Sequence, residues 1–159
     1  MTGHTIVVHE SFDATPEQVW RVITDVGGLA DVLRSVTYAE LLTDGPYDVG
    51  TRWTESRTFF GHHGTEELEV VETRPPFHTT HLTKLHGDVI RTSYSMTPHN
   101  NGTTRLSITA TADMSGRGPG GKLGWMFFGE IPFDRTRRML EHDLADIGAE
   151  VQRRVGSAS

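Results

Sequence analysis

From about Val36 to Met114 the chain alternates apolar and polar positions in short runs, each broken by a turn signal, and then the period changes. Leu106, Ile108, Ala110, Ala112 and Met114 share one parity; Arg105, Ser107, Thr109, Thr111 and Asp113 share the other. A period of two with one apolar face is a strand of an antiparallel sheet covered on a single side. Past a glycine-rich break at 115–121, Phe133, Leu140, Leu144, Ile147 and Val151 recur at spacings of seven, four, three and four. They fall on one face of a helix of about 3.6 residues per turn, predicted to run to about Val155. A long amphipathic helix that follows a run of strands buries its stripe on the concave face of their sheet. A curved sheet gripping one helix leaves a cavity between the two, and that cavity is the first functional expectation.

The remaining elements follow from punctuation. His4 to Phe12 reads as a first strand. Thr15-Pro16-Glu17-Gln18 supplies a helix start, with Thr15 as N-cap, Pro16 at the first helical position and Gln18 closing a capping box. Val19, Ile23 and Val26 make that helix's stripe, with Trp20 beside it, and Gly27-Gly28 ends it; a short second helix is expected at 29–33. Six further strands are predicted at about 36–43, 50–60, 65–74, 77–85, 88–98 and 103–114. Gly61-His62-His63-Gly64, His86-Gly87-Asp88 and Asn100-Asn101-Gly102 read as hairpin turns, and Pro75-Pro76 as a tight corner. The predicted class is α+β: a seven-stranded antiparallel sheet wrapped around a long C-terminal helix, with two short helices between strands 1 and 2. Residues 1–155 read as one domain and 156–159 as a frayed tail.

Composition narrows the function classes. At 159 residues the chain is long enough to bury a core without staples, and it has no cysteine, hence no disulfide, thiolate metal site or cysteine nucleophile. A net charge of -6 argues against nucleic acid as a partner, because there is no surplus of cations to displace counterions from phosphates. The first residues form neither a charged n-region nor an apolar h-region, and no run approaches the roughly 18 apolar residues of a membrane span. A cytoplasmic protein, monomer or homodimer, is the expectation.

The segment Phe12-Asp13-Ala14-Thr15-Pro16-Glu17-Gln18-Val19-Trp20, followed by Thr24-Asp25, resembles the opening of the polyketide cyclase/dehydrase and lipid-transport family of the START/Bet v 1-like (SRPBCC) superfamily. Val49-Gly50-Thr51-Arg52-Trp53, with Gly61 closing that strand, resembles the family's third strand, and Gly102-Thr103-Thr104-Arg105-Leu106 its last. The resemblance covers nearly the whole chain. It implies the helix-grip fold, with a small hydrophobic molecule, lipid or polyketide-like, held in the internal cavity. The alternative it implies is a polyketide aromatase/cyclase acting on a chain in the same cavity. Fold alone does not choose between them.

Candidate site residues follow from strand parity. Trp53, Glu55, Arg57 and Phe59 share a face. If the aromatic rings point inward, the charges go with them as a polar anchor; the competing reading places Glu55 and Arg57 at a wet rim, since buried charges need partners. His81 has the parity of Phe77 and Leu85, so it is either an inward acid or base or a structurally hydrogen-bonded ring. Tyr94 and Met96 alternate with Ile90 and Thr92 on the same face, as ligand contacts or as core filling. In the cyclase alternative Arg57 would hold an oxyanion while Glu55, His81 or Tyr94 moved protons.

Two motifs are set aside and one is kept. Nine histidines do not make a metal site: His78 and His81 are three apart on a strand and point to opposite faces, and convergent ligands are missing. Gly116 to Lys122 has most of a P-loop, but Leu123 stands where the magnesium-binding hydroxyl belongs and the sheet is antiparallel. No metal or cofactor is therefore expected. Trp125, Met126, Phe127 and Phe128, between the glycine break and Pro132, read as a helical lid over the cavity, with Trp125 and Phe128 as ligand contacts; core, or a membrane- or partner-facing patch, are the other readings.

Overall fold

The structure is a computed structural model that describes residues 3–59, 62–85, 88–113, 126–127 and 131–157. Strand β1 (Gly3–Phe12) leads into helix α1 (Pro16–Ile23), a 3-10 turn at Val26–Gly28 and helix α2 (Leu29–Val32). Then come β2 (Val36–Leu41), β3 (Arg52–Phe59), β4 (His62–Arg74), β5 (His78–Leu85), β6 (Asp88–Pro98) and β7 (Thr104–Asp113). A two-residue pair, β8 (Met126–Phe127) and β9 (Ile131–Pro132), precedes helix α3 (Phe133–Ser157). The large sheet is antiparallel throughout in the order β1-β7-β6-β5-β4-β3-β2, so β1 and β2 are its edges. This is the helix-grip fold. Among the described residues no helix is long and apolar enough to cross a membrane.

The local chemistry of the first helix is as its sequence implies. Thr15 accepts from the Gln18 amide and the Gln18 side chain accepts from the Thr15 amide, a complete capping box, with Pro16 following. The helix stops at Ile23, earlier than the Gly27-Gly28 end expected, because the Thr24 hydroxyl bonds back to the Trp20 carbonyl at 2.8 Å and the chain tightens into the 3-10 turn. Val19 and Val22 are its buried residues, while Ile23 is only half-buried.

Several strand limits shift. Gly50 has φ +93°, a turn conformation, so β3 begins at Arg52. His62, His63 and Gly64 belong to β4, opposite Phe59, Thr58 and Arg57, and not to a turn; Asp88 likewise pairs with Leu85. Phe77 lies outside β5 in the Pro75-Pro76 corner and is half exposed, so it does not share His81's inward face. Gly102, with φ +83°, closes the β6–β7 turn as expected.

Burial follows the periodicities. In β7, Thr104, Leu106, Ile108, Ala110 and Ala112 are buried while their neighbours are not. On α3, Met139, Leu140, Leu144, Ile147 and Val151 are buried against β1, α1, α2 and β3. Each such Leu or Ile removed from water contributes about 1.5–3 kcal/mol. Gly148 of α3 packs directly on the Phe12 ring of β1: a Cβ built there would lie 2.5 Å from Phe12 Cε1. Pro132 stands immediately before α3, so the helix begins there. Residues 126–127 are strand, which corrects the helical conformation expected there, and the helix runs two residues past Val155. The glycine loop at 115–121, Trp125 and Phe128 lie outside the described residues.

Candidate functional site

The inward parity of β3 places Trp53, Glu55 and Arg57 inside the molecule, 3%, 2% and 8% exposed. The wet-rim reading of the two charges is thereby set aside. What makes inward charge tolerable is a partner from α3. Arg57 donates through Nε to Glu55 Oε2 and through Nη1 to Asp143 Oδ2 at 2.8 Å and Ser35 Oγ at 2.9 Å. Ser35 in turn donates to the other Asp143 oxygen at 2.8 Å, and Trp53 Nε1 donates to Glu55 Oε1 at 3.2 Å. Glu55, Arg57, Asp143 and Ser35 therefore tie β3 to α3 through a closed chain of charge-assisted bonds.

Asp143 was not found in the sequence reading, although it sits three residues after Leu140 and four before Ile147, on the buried stripe. Glu66 was missed in the same way. It shares parity with Leu68 and Val70, is 4% exposed, and stands directly opposite Glu55 in the β3–β4 register. No hydrogen-bond partner reaches its Oε1.

These surroundings set the protonation states. Burial pushes Glu55 up, but Arg57 outweighs it and holds the carboxyl below its ordinary value. Burial raises Asp143 in spite of Arg57. Burial, reinforced by the charge of Glu55, pushes Glu66 up to about 7. Burial drives His81 down to about 4, so its imidazole is neutral at pH 7. Burial likewise raises Tyr94, and it raises Tyr47 to about 12, so both phenols keep their protons.

A cavity lies between α1–α2, the concave sheet and α3. Val22, Ile23, Leu29, Val32, Leu33 and Ile147 form one wall; Tyr47, Trp53, Glu55, Arg57, Thr79, His81 and Tyr94 form the other. Its free volume in this state is about 30 Å³. The sheet wall is ordered by ring contacts: His81 meets the edge of Trp53 at 5.4 Å and stands 5.7 Å from Tyr94. The Tyr47 hydroxyl bonds Thr79 at 2.7 Å. Thus Trp53, Glu55, Arg57, His81 and Tyr94, five of the candidate residues, converge on one cavity. Met96 is buried on the same face of β6 but does not line that cavity. The Phe59 side chain, Trp125 and Phe128 lie outside the described residues. His78 points to the opposite face from His81, where it bonds Ser95 and Thr80.

Arg57 directs its side-chain bonds to Glu55, Asp143, Ser35 and the Met139 sulfur, tying the sheet to the helix, so an oxyanion at this guanidinium would have to compete with Glu55 and Asp143.

With this geometry in place, comparison with known proteins adds the lineage. Solved structures of similar fold include the Zhui aromatase/cyclase from Streptomyces sp. R1128, with TM-score 0.72, 20% identity and 96% of each chain covered. A START superfamily protein from Mycobacterium smegmatis has TM-score 0.72 at 12% identity, covering 94% of this chain and 98% of its own. Ara h 8.0201 has TM-score 0.71 at 11% identity, covering 95% and 99%. At these identities the likeness is one of fold. A comparison with curated proteins finds no match. The family model described as polyketide cyclase / dehydrase and lipid transport matches residues 4–142, nearly the whole chain, and the protein belongs to that family.

Proposed function

We propose that this protein binds a small apolar or aromatic molecule, lipid-like or polyketide-like, in the cavity between its sheet, α1–α2 and α3. The division of the cavity wall carries the reading. Six aliphatic side chains face a wall of aromatic rings and buried polar groups, the lining expected of a site that desolvates a ring or chain and orients its polar end. Because about 30 Å³ holds only a water molecule or two, the ligand must displace part of the wall. The four-residue α2, which supplies Leu29 and Val32 to that wall, is the shortest element bordering the cavity and the one we assign to that displacement. Native mass spectrometry of the protein as purified, followed by calorimetric titration with naphthalene-class compounds, tests this. A co-purified small molecule or saturable binding with a negative heat-capacity change is expected. Absence of both overturns the reading.

A second reading, the aromatase/cyclase, is favoured by the neutral His81 and protonated Tyr94 standing side by side on the wall. In an aldol closure His81 would take the proton from a carbon between two carbonyls, and the Tyr94 hydroxyl would donate to the carbonyl oxygen under attack. Cyclised product from a poly-β-ketone chain, lost in both His81→Ala and Tyr94→Phe while ligand binding persists, would support it. Equal product with and without the protein would remove it.

A further inference from the structure

The polar groups inside the sheet are unevenly matched. Among the described residues three carboxylates, from Glu55, Glu66 and Asp143, are buried with a single guanidinium, that of Arg57. Arg57 directs its bonds to Glu55 and Asp143, and Glu66 receives none of them. Among the described residues no hydrogen-bond partner reaches Glu66 Oε1, which is buried on the inward face, directly across the strand pair from the cavity-lining Glu55 and behind the present cavity wall, so a ligand that displaces part of that wall is what would reach it. An acceptor left in that condition keeps its desolvation penalty, which a bound donor would recover. A metal ion is not the missing partner, since no group of three carboxylate or imidazole ligands converges among the described residues.

Resting on the proposed cavity binding, we infer that Glu66 reads the polar end of the bound molecule, and that this end carries a hydrogen-bond donor, a hydroxyl or a protonated amine, rather than a carboxylate. A ligand carboxylate would enter an interior that, among the described residues, has more acidic groups than cationic ones and whose guanidinium, that of Arg57, is committed to two of them. A hydroxyl or ammonium meets an acceptor that nothing else uses. The carboxyl's elevation to about 7, by burial first and by Glu55 next, fits a buried acid whose Oε1 receives no hydrogen bond from the described residues.

A matched naphthalene series provides the test, with affinities measured by calorimetry at pH 8 on the full chain: 2-naphthol, 2-naphthylmethylamine, 2-methoxynaphthalene and 2-naphthoate. Hydrogen bonds to charged groups predict that the naphthol and the amine bind about tenfold or more tightly than the methoxy compound, with naphthoate weakest. Glu66→Leu should erase the advantage of both donors over the methoxy compound. Glu66→Gln, which keeps an acceptor oxygen, should retain part of the naphthol preference and lose that of the amine. Naphthoate binding as tightly as naphthol in the wild type overturns the inference without recourse to any variant. A donor preference that survives in Glu66→Leu overturns it equally. If no member of the series binds, cavity binding fails and the inference with it; if all bind alike, the cavity reading stands and the inference alone fails.

Discussion

Replacing Glu66 by Gln should stabilise the protein increasingly as the pH rises. The Glu66 carboxyl goes from an ordinary 4.5 to about 7, through burial and then through Glu55. Between those values the folded state holds a proton that the unfolded state releases, so raising the pH favours unfolding. Glu66 thus contributes stability that is complete below about 4.5 and lost as the pH climbs through about 7. At about 1.4 kcal/mol per pH unit the gap corresponds to about 3 kcal/mol. Gln fills the same space and cannot ionise, so it escapes the loss. His81 acts with the opposite sign: pushed from 6.5 down to about 4 by burial, it contributes stability that is full above about 6.5 and lost as the pH falls toward 4. Because wild type and variant share His81, subtracting their curves leaves Glu66. Urea unfolding followed by tryptophan fluorescence, from pH 4.5 to 8.5, should show the Glu66→Gln advantage growing by about 2–3 kcal/mol. Curves parallel within about half a kcal/mol, the usual scatter of surface substitutions, would refute a buried, unpartnered Glu66.

The packing and the ion pair offer further checks by the same unfolding assay. Leu144→Ala, at a position 3% exposed on α3, should cost about 2–5 kcal/mol; a loss near zero would mean the helix does not pack as described. Gly148→Ala would gain about 1 kcal/mol of helix propensity. It drives a methyl to 2.5 Å from the Phe12 ring, and the overpacking, about 1–3 kcal/mol, should leave the variant net destabilised. Shortening the ring in Phe12→Leu should then make the second substitution tolerable, and no such rescue would contradict the contact. Asp143→Ala strips Arg57 Nη1 and Ser35 of their carboxylate and should cost about 3–5 kcal/mol, with a change below about 1 kcal/mol marking the pair as solvated.

What could be read from the sequence divides along physical lines. β7 was legible because one face is buried and the other wet, which writes a period of two into Leu106, Ile108, Ala110 and Ala112. The α3 stripe and the Thr15–Gln18 capping box were legible for the same local reason. Parity put Trp53, Glu55 and Arg57 on one face but left open whether the two charges faced inward or a wet rim, which burial decides. Their partner did not: Asp143 lies 86 residues from Arg57, and no local spacing reports a contact of that range. Glu66 and Asp143 escaped because stripes are sought in apolar letters, whereas each occupies a stripe position as a carboxylate. The β3–β4 hairpin was misplaced because Gly61 and Gly64 both offer turn residues, and cross-strand pairing of Arg57 with Gly64 decides between them.

The central claim is that the cavity between the sheet and α3 is the binding site. Isotope-filtered nuclear Overhauser spectroscopy on methyl-labelled protein with 2-methoxynaphthalene tests it most directly, because it reads which side chains touch the ligand. Cross-peaks should run from the ligand protons to the methyls of Ile23, Leu29, Leu33 and Ile147, which line one wall of the cavity. Cross-peaks confined to the exposed Leu41, Leu42 and Val49, with the Ile147 methyls silent at saturation, would place the ligand on the surface and contradict the account.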